Sequence, residues 1–451
     1  MLNLFDNYSK DSRKLQETLW NAGFHHPTLV LDEQGDLPEG VFNIFHYFMG
    51  ELTDGLERIK KQGLGRPRYF NEIPIQKYWE IAGDNQSATI KDDYRLRAKI
   101  FYHYPHHLRQ VKNVDWYDEQ GNVRYIDSYN QFGRLYSQII FNDKKEPLAT
   151  SYYDLNGKEV VVENHVTKSL IISYKEKEYL FENRLRVILF LLSELNLWQE
   201  DMLFNSLHWS FMIANQRQGK AKNFLFWQEG KRESLPGNME VLLSSQTHPG
   251  FVIIPNEPVY HQMVQLSPEE WQSKFYQAGY VYQYKQKAKS GKNILIFTNT
   301  DQIQDIREII QALPQAHFHI AALTEMSSKL MQLDRFANVR LYPNVTPEQI
   351  DELWEECQIY LDINHANEIL NAVEEAYLNQ LLIFAFEELG HNMTYVAKEH
   401  RYKIMNVNGM VRQLESVLLD ESKYFEALDK QHLQADSISR QQFNNALRND
   451  V

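Results

Sequence analysis

The sequence predicts an α/β protein of two Rossmann-like domains, the first of which is interrupted by an inserted antiparallel β-sheet. In the last third of the chain, short apolar runs alternate with amphipathic helical segments, as in a parallel sheet with crossover helices. The same pattern begins near the N-terminus, is broken by alternating polar and aromatic residues with tight turns, and then resumes. We therefore expect an N-terminal domain from 1–60 and 170–282, an inserted sheet at 61–169, and a C-terminal domain at 283–451.

The N-terminal domain is expected to open with a helix followed by a strand. Leu15, Leu19 and Ala22 share one face of a helical pattern, and residues 28–31 form an apolar β-rich run. After the insertion, a helix is predicted at 184–197. Further apolar segments follow at 207–214, 241–244 and 251–254, and a polar linker at 283–292.

The inserted segment contains an internal repeat of 12 residues. Its copies are Tyr117-Asp118, Tyr129-Asn130, Phe141-Asn142 and Tyr153-Asp154. Glycine follows three residues after the Asp or Asn in three copies, at Gly121, Gly133 and Gly157, which is typical of type I turns closed by a left-handed residue. Lys145 replaces glycine in the third copy, so a looser turn is expected there.

The C-terminal domain shows the clearest pattern. Strands are predicted at 293–299, 317–323, 339–341, 359–363 and 381–386, each nearly all apolar, as strands covered on both faces should be. Thr346 is expected to cap a helix whose first residue is Pro347.

Composition excludes several classes of function. The 47 basic and 60 acidic residues give a net charge of −13, which disfavours binding to nucleic acid. Cys357 is the only cysteine, so a reducing compartment is expected. The first residues lack a secretory signal and no apolar run is long enough to cross a bilayer, so we expect a cytoplasmic protein whose contact with the inner face of the membrane is at most peripheral.

The residues needed for metal- or nucleotide-dependent chemistry are missing from their usual places. No glycine occurs from Lys292 to Leu389, so the phosphate-binding loop of a Rossmann-like domain is absent. The chain has no Asp-x-Asp pair, and the histidines at 25–26 and 103–107 are interpreted as solvated loops rather than zinc ligands. We expect neither a cofactor nor a metal and no catalytic residue.

Residues 364–377 follow a predicted strand and are expected to open a helix. This segment resembles the donor-site segment of retaining glycosyltransferases with the GT-B fold, in which two glutamates flank a glycine-rich stretch. Glu375 matches the second glutamate, whereas Asn367 falls on the first and Glu368 is one residue away, a rotation of about 100° on a helix. With Asn364 and His365, these residues are interpreted as a degenerate donor pocket; an ordinary acidic helix N-terminus is the alternative.

The chain as a whole resembles the non-catalytic, stabilising subunit of the two-component O-linked N-acetylglucosaminyltransferase that modifies serine-rich repeat adhesins in the accessory Sec pathway. The resemblance implies a GT-B fold and a catalytic O-GlcNAc transferase partner that uses UDP-GlcNAc. It also implies a serine-rich repeat acceptor held by this chain, and a hetero-oligomer for which two copies of each subunit is one arrangement.

Aromatic and basic residues of the inserted sheet are the candidates for contact with the acceptor. They are Trp116, Arg124, Tyr125, Tyr129, Arg134, Tyr136, Tyr152 and Tyr153. Tyrosine adds contact area and a hydroxyl at low entropic cost, and exposed sheet edges offer backbone pairing to an extended chain. The alternative is that about half of these aromatic side chains face the core, as strand alternation requires.

Two other functions remain open on the sequence. An active retaining GT-B transferase would use Glu375 at the donor ribose, although the glycine-free domain disfavours it. A lectin-like protein that binds finished glycan would need an exposed aromatic platform but no transferase partner.

Overall fold

The computed structural model describes residues 1–32, 35, 37–53, 57–59, 65–217 and 219–447. The chain divides into two compact units. The N-terminal unit comprises Met1–Gln16 and Phe24–Gln277, and the C-terminal unit comprises Glu17–Gly23 and Ala278–Val451.

A parallel sheet of seven strands is the centre of the N-terminal unit. The elements before the insertion are β1 (Leu2–Phe5), α1 (Lys10–Ala22), β2 (Thr28–Val30), β3 (Val41–Asn43), α2 (Ile44–Phe48), and the short pair β4 (Leu52–Thr53) and β5 (Glu57–Ile59). The predicted first helix and the strand β2 are confirmed. β1, which the sequence analysis did not identify, is fully buried between its neighbours.

Ten consecutive strands form the inserted antiparallel sheet. They are β6 (Glu80–Gly83), β7 (Ser87–Asp92), β8 (Arg95–Tyr102), β9 (Val111–Tyr117), β10 (Val123–Tyr129), β11 (Leu135–Phe141), β12 (Pro147–Tyr153), β13 (Glu159–Asn164), β14 (Leu170–Tyr174) and β15 (Lys177–Phe181). The sheet therefore continues beyond residue 169, because β14 and β15 pair onto β13 in turn.

After the insertion the parallel sheet is completed. Its remaining elements are α3 (Arg184–Glu194), β16 (Met202–Phe204), α4 (Trp209–Gln216), β17 (Asn223–Phe226), α5 (Gly237–Ser244), β18 (Gly250–Ile254), α6 (Glu257–Leu266), α7 (Glu269–Gln272) and β19 (Phe275–Gln277). The strand order is β19-β18-β17-β16-β1-β2-β3, so the direction of winding reverses between β1 and β16.

The 12-residue repeat forms four turns of the same kind. The first residue of each turn accepts a hydrogen bond at its carbonyl from the residue three positions on, over 2.9–3.2 Å. The closing residues Gly121, Gly133 and Gly157 have φ of 81°, 74° and 79°. The expectation of a looser third turn is wrong, because Lys145 adopts φ 64° and the Asn142 side chain accepts the same two backbone N–H bonds as its counterparts.

The two halves of the inserted sheet are covered on opposite faces. In β7–β9, residues such as Ile100 and Val114 are buried with residues of the preceding segment, including Phe70 and Trp79. In β13 and β14 the neighbouring positions on the other face are buried against α2 and α3. The sheet therefore changes its covered face along its width.

The C-terminal unit is a six-stranded parallel sheet with helices. Its elements are β20 (Asn293–Phe297), α8 (Ile306–Ala312), β21 (His317–Ala321), α9 (Ser328–Met331), β22 (Val339–Tyr342), α10 (Pro347–Glu356), β23 (Ile359–Asp362), α11 (Ala372–Leu378), β24 (Leu382–Phe386), β25 (Arg401–Tyr402), α12 (Val407–Leu419), α13 (Glu421–Gln434) and α14 (Arg440–Leu447). All five predicted strands are confirmed to within a few residues. The Thr346 cap is also confirmed, with Gln349 bonding back to the Thr346 N–H.

Two features are absent from the described residues. None of the helices there is long and apolar enough to cross a membrane. Nor does that part of the chain hold a group of three or more side chains suited to a metal ion.

The histidine-containing segment 103–107 contacts the inserted sheet through one of its rings. His103 Nε2 lies 3.1 Å from the Tyr129 carbonyl oxygen.

Candidate functional site

The predicted donor region lies at the carboxyl ends of β20 and β23. The strand order of the C-terminal sheet is β22-β21-β20-β23-β24-β25, so the winding reverses between these two strands. Ligands of open α/β sheets bind at such a point. Here Thr298, which follows β20, donates its hydroxyl to Asn364 Oδ1 over 2.9 Å, and the Asn364 amide donates to the Ala366 carbonyl over 3.0 Å.

The other predicted donor residues are also bonded within the chain, with one exception. His365 Nε2 lies 2.7 Å from Gln304 Oε1. Glu375 forms an ion pair with Lys285. Asn367 is exposed. The segment therefore uses most of its polar groups to hold its own shape.

Glu368 has a different place from the one predicted. The helix α11 begins at Ala372, so Glu368 lies in the loop before it and not in a helix start. Its carboxylate accepts the Val373 N–H over 2.8 Å, which caps the helix. Spacing in the sequence could not reveal this, because it depended on where the helix begins.

Two residues of the loop adopt left-handed backbone conformations. Leu370 has φ 58° and Asn371 has φ 49°. Glycine is favoured at such positions, and a residue with a β-carbon costs about 1–2 kcal/mol there. Residues 370 and 371 thus form a turn that glycine would favour, but both carry side chains.

A buried ion pair fixes the same loop. Asp362 at the end of β23 is almost fully buried and accepts from His391, through the backbone N–H at 2.7 Å and Nδ1 at 2.6 Å. His391 Nε2 donates to the Ala366 carbonyl over 2.7 Å. The hydrogen bond to Asp362 raises the pKa of His391 to about 9 despite partial burial, so the ring is a cation at neutral pH. No pattern in the sequence indicates this pair, since its members are far apart in the chain.

The surface next to the loop is poorly suited to a diphosphate. A depression of about 560 Å³ there is lined by Asp301, Asp305 and Glu308 together with Arg307 and Lys329. Three carboxylates against two cations repel a multiply charged anion. The lining of this depression is therefore net acidic, which disfavours an anionic ligand there.

The inserted sheet is the second candidate region. Residues that lie directly opposite each other on neighbouring strands have their side chains on the same face of the sheet. We call one such set, with one residue from each of the strands β7 to β15, the sheet row. The sheet row consists of Ala88, Ile100, Val114, Asp127, Gln138, Ser151, Val162, Ile171 and Leu180. It is buried at its Ala88 end and open at the other, where the Leu180 side chain is 75% exposed.

Three of the predicted acceptor-binding residues are buried. Tyr129, Tyr136 and Tyr152 retain 8% exposure or less, so the expectation that they offer flat surfaces to a polypeptide is wrong. Tyr152 stacks on Phe45 of α2 with ring centroids 4.1 Å apart. The alternative, that about half of the six aromatic candidates face the core, is confirmed.

Trp116 and Tyr125 form a half-buried pair, with ring centroids 5.7 Å apart. The Trp116 indole N–H donates to Asp127 Oδ2 over 2.8 Å, and Gln138 donates to Asp127 Oδ1 over 2.6 Å. Burial raises the pKa of Asp127. Together with the half-buried Tyr153, these two rings are the predicted aromatics that keep some exposure.

The two predicted arginines contact their own chain. Arg124 donates to the Phe141 carbonyl over 3.0 Å and lies 3.2 Å from Asp143. Arg134 is mostly buried and lies 3.4 Å from Glu51. Of the two, Arg124 is the more exposed and the better candidate for a ligand.

The open end of the sheet row is a feature that the sequence analysis missed. Ile171 and Leu180 are exposed apolar residues on β14 and β15, and β15 is an edge strand with one neighbour. A signal was present in residues 170–172, three consecutive apolar residues in a strand, which place an apolar side chain on each face.

Two Rossmann-like units, with an antiparallel sheet inserted in the first, define a protein with the GT-B glycosyltransferase fold. Four domain families match the sequence: the GtfB N-terminal domain over 2–48, the GtfB middle domain over 79–182, the GtfB third domain over 184–266, and the GftB/GlyA-F C-terminal domain over 294–431.

Full-length relatives agree. The chain is 37% identical over 441 residues, 97% of each chain, to the UDP-N-acetylglucosamine–peptide N-acetylglucosaminyltransferase stabilizing protein GtfB of Streptococcus pneumoniae serotype 4. It is 36% identical to the GtfB of Streptococcus gordonii, over 97% of this chain and 96% of that one. A chain in the crystal structure of a GtfA/B complex bound to UDP and GlcNAc matches with a TM-score of 0.86 and 35% identity, covering 100% of this chain and 99% of that one. The chain therefore belongs to the GtfB family of stabilizing proteins.

Proposed function

We propose that this chain is the non-catalytic subunit of a peptide O-GlcNAc transferase: it stabilises a catalytic partner and holds the serine-rich repeat acceptor while the partner transfers GlcNAc from UDP-GlcNAc. The observation that carries this proposal is the closed donor loop in a member of the GtfB family. The polar groups of this loop form hydrogen bonds and an ion pair within the chain, through Asn364, Glu368 and the Asp362–His391 pair. These contacts hold the loop in its conformation.

Membership of the family supports a partner-dependent role. The relatives are named as stabilizing proteins of the transferase, and the solved chain that this one resembles over its full length belongs to a GtfA/B complex. We infer that this chain forms a hetero-oligomer with a catalytic subunit of the same kind, with two copies of each as the arrangement to test by light scattering.

We further propose that the inserted sheet holds the acceptor. A serine-rich chain is disordered and weakly apolar, so its affinity must come from many small contacts along an extended surface. The open end of the sheet row supplies apolar area at Ile171 and Leu180, and the edge strand β15 has backbone groups available for pairing. Trp116, Tyr125, Tyr153 and Arg124 extend this surface.

The location follows from the same role. We propose that the chain works in the cytoplasm, where UDP-GlcNAc and unfolded acceptor are present, and that any membrane contact is peripheral. Fractionation of cells with and without the catalytic subunit tests this. Recovery in the membrane fraction after high salt and without the partner would contradict it.

The deciding experiment measures transfer of radiolabelled GlcNAc to a serine-rich peptide. Its arms are this chain alone, the catalytic subunit alone, and the two mixed. We expect transfer chiefly in the mixture and none by this chain alone. Turnover by this chain alone that Glu375→Gln abolishes would overturn the proposal in favour of an active transferase.

A binding experiment separates the third function. Immobilised serine-rich peptide, bare or bearing GlcNAc, is incubated with this chain and with the catalytic subunit. Binding of finished glycan without any interaction with the catalytic subunit would indicate a lectin-like protein instead.

A further inference from the structure

A second cavity lies wholly within the N-terminal unit. It measures about 550 Å³ and is formed by the residues that follow β2, the loop after β13, the start of α3 and the start of α4. This volume is within the range of small-molecule sites. Because β2 belongs to the parallel sheet, the cavity lies at the carboxyl end of a strand, where ligands of such sheets bind.

The charges of the described residues that line this cavity cancel. Arg184 makes two hydrogen bonds of 2.6 Å to the buried Glu163 carboxylate, which neutralises both groups. Asp32 lies 3.9 Å from the same guanidinium, and Lys168 adds one exposed cation. Burial lowers the pKa of His165, so its imidazole is neutral at neutral pH. A sugar nucleotide or free phosphate finds no surplus of positive charge here, whereas a neutral polar ligand does not need one.

The walls of the cavity combine an apolar floor with an aromatic rim. Leu31, Leu185 and Ile188 supply the apolar surface. Trp209, the first residue of α4, also lines the cavity, and its side chain is 47% exposed. An exposed indole offers a flat apolar face to a ligand that has one apolar face of its own.

The polar groups lie around this apolar surface. The Asp32 carboxylate is 63% exposed and lies 3.9 Å from the Arg184 guanidinium, beyond hydrogen-bond distance, so both of its oxygens are available as acceptors. Asn183 uses its amide oxygen to cap α3 by accepting the Arg186 N–H over 3.1 Å, which leaves its amide nitrogen as a donor. His165 is held by a 2.7 Å contact between Nε2 and Thr150 Oγ1.

We propose that this cavity binds one neutral pyranose ring, which stacks its C–H face on Trp209 and donates adjacent hydroxyls to Asp32. A pyranose has one apolar face and a rim of hydroxyls, which matches a neutral pocket with an aromatic wall and polar edges. The inference rests on the proposed function for the source of the sugar, which is a glycosylated stretch of the acceptor.

The test is a titration of the full chain, without partner, with methyl N-acetyl-α-D-glucosaminide, followed by saturation-transfer NMR. We expect saturable binding that UDP does not displace. Trp209→Ala should weaken it at least tenfold and Asp32→Asn severalfold. Asp93→Asn, on an exposed turn of the inserted sheet, is the matched control and should bind as the unaltered chain does.

Three results would overturn the proposal: no saturable binding, displacement by UDP, or unaltered affinity in both pocket variants. Asp32 is mostly exposed, so its variant keeps the test valid should Trp209→Ala fail to fold. The sugar titration and the transfer assay have independent readouts. If the sugar does not bind but transfer still depends on the partner, only the proposed sugar site is excluded. If the mixture is no more active than the catalytic subunit alone, the proposed function is excluded.

Discussion

The C-terminal sheet and the inserted sheet differ in how far their apolar side chains are buried and their polar groups are bonded. In the C-terminal unit, strands such as β23 and β24 are buried on both faces, and the loop at their carboxyl ends binds its own polar groups. In the inserted sheet, the covered face changes across the width, which leaves Ile171 and Leu180 exposed at one end. The loop that resembles a donor site has most of its polar groups bonded within the chain. The inserted sheet, which is not part of a Rossmann-like domain, instead exposes apolar side chains.

The largest expected effect separates buried from half-exposed aromatics in the inserted sheet. Tyr152→Ala should lower the free energy of unfolding by about 4 kcal/mol, because it empties a site packed against Phe45. Tyr153→Ala, one residue away and half-buried, should lower it by about 1 kcal/mol and weaken peptide binding instead. Urea denaturation with hydrogen exchange in β12 and β13 measures both. Equal losses would mean that the two faces of β12 are not distinct.

The next effect concerns the loop after β23, which resembles a donor-site segment. His391→Ala leaves the Asp362 carboxylate buried without its cation and should destabilise the C-terminal unit by about 3 kcal/mol. Faster amide exchange in β23 and β24 is the expected readout. Lys403→Ala, at an exposed cation shortly before α12, serves as the control. Unchanged exchange in the His391 variant would show that the loop is held by other contacts.

The same pair predicts a pH dependence. The pKa of His391 is raised to about 9 in the folded chain from 6.5 when unfolded, so its contribution is complete below pH 6.5 and is lost as the pH rises through 9. The loss between these limits is roughly 3 kcal/mol. It is measured as the difference between the unaltered chain and His391→Gln, which removes the contribution of other groups. A difference that does not change with pH would contradict the charged pair.

A smaller effect is expected at Glu375. Its ion pair with Lys285 is partly exposed, so Glu375→Gln should lower the free energy of unfolding by about 0.5 kcal/mol. Transfer by the mixture with the catalytic subunit should not change. A large loss of transfer would restore the donor-site interpretation of this residue.

An effect of similar size, but of opposite sign, tests the third turn of the repeat. Lys145→Gly removes a β-carbon from a left-handed residue and should raise the free energy of unfolding by about 0.5 kcal/mol. Thermal unfolding measures it, with Gly157→Lys as the reciprocal change in a turn of the same geometry. A decrease in stability for Lys145→Gly would show that the lysine side chain contributes contacts of its own.

The strands and turns could be predicted from the sequence, but the face of the inserted sheet that is buried could not. The strands of the C-terminal sheet were predicted because doubly covered strands are continuous apolar runs, and the four turns because Asp or Asn and a left-handed residue recur at fixed spacing. Tyr129, Tyr136 and Tyr152 were misjudged because alternation gives two faces without saying which is covered. In the inserted sheet, the buried face differs between the two halves.

By itself the sequence determined the fold class, the absence of a glycine-rich phosphate loop and the family resemblance, because these depend on local residue types and spacing. The tertiary structure alone decided that His391 reaches Asp362, that Glu368 caps a helix and that the described residues lining the pocket near Trp209 balance in charge. Those facts depend on residues distant in the chain being brought together, and local pattern carries no information about such pairs.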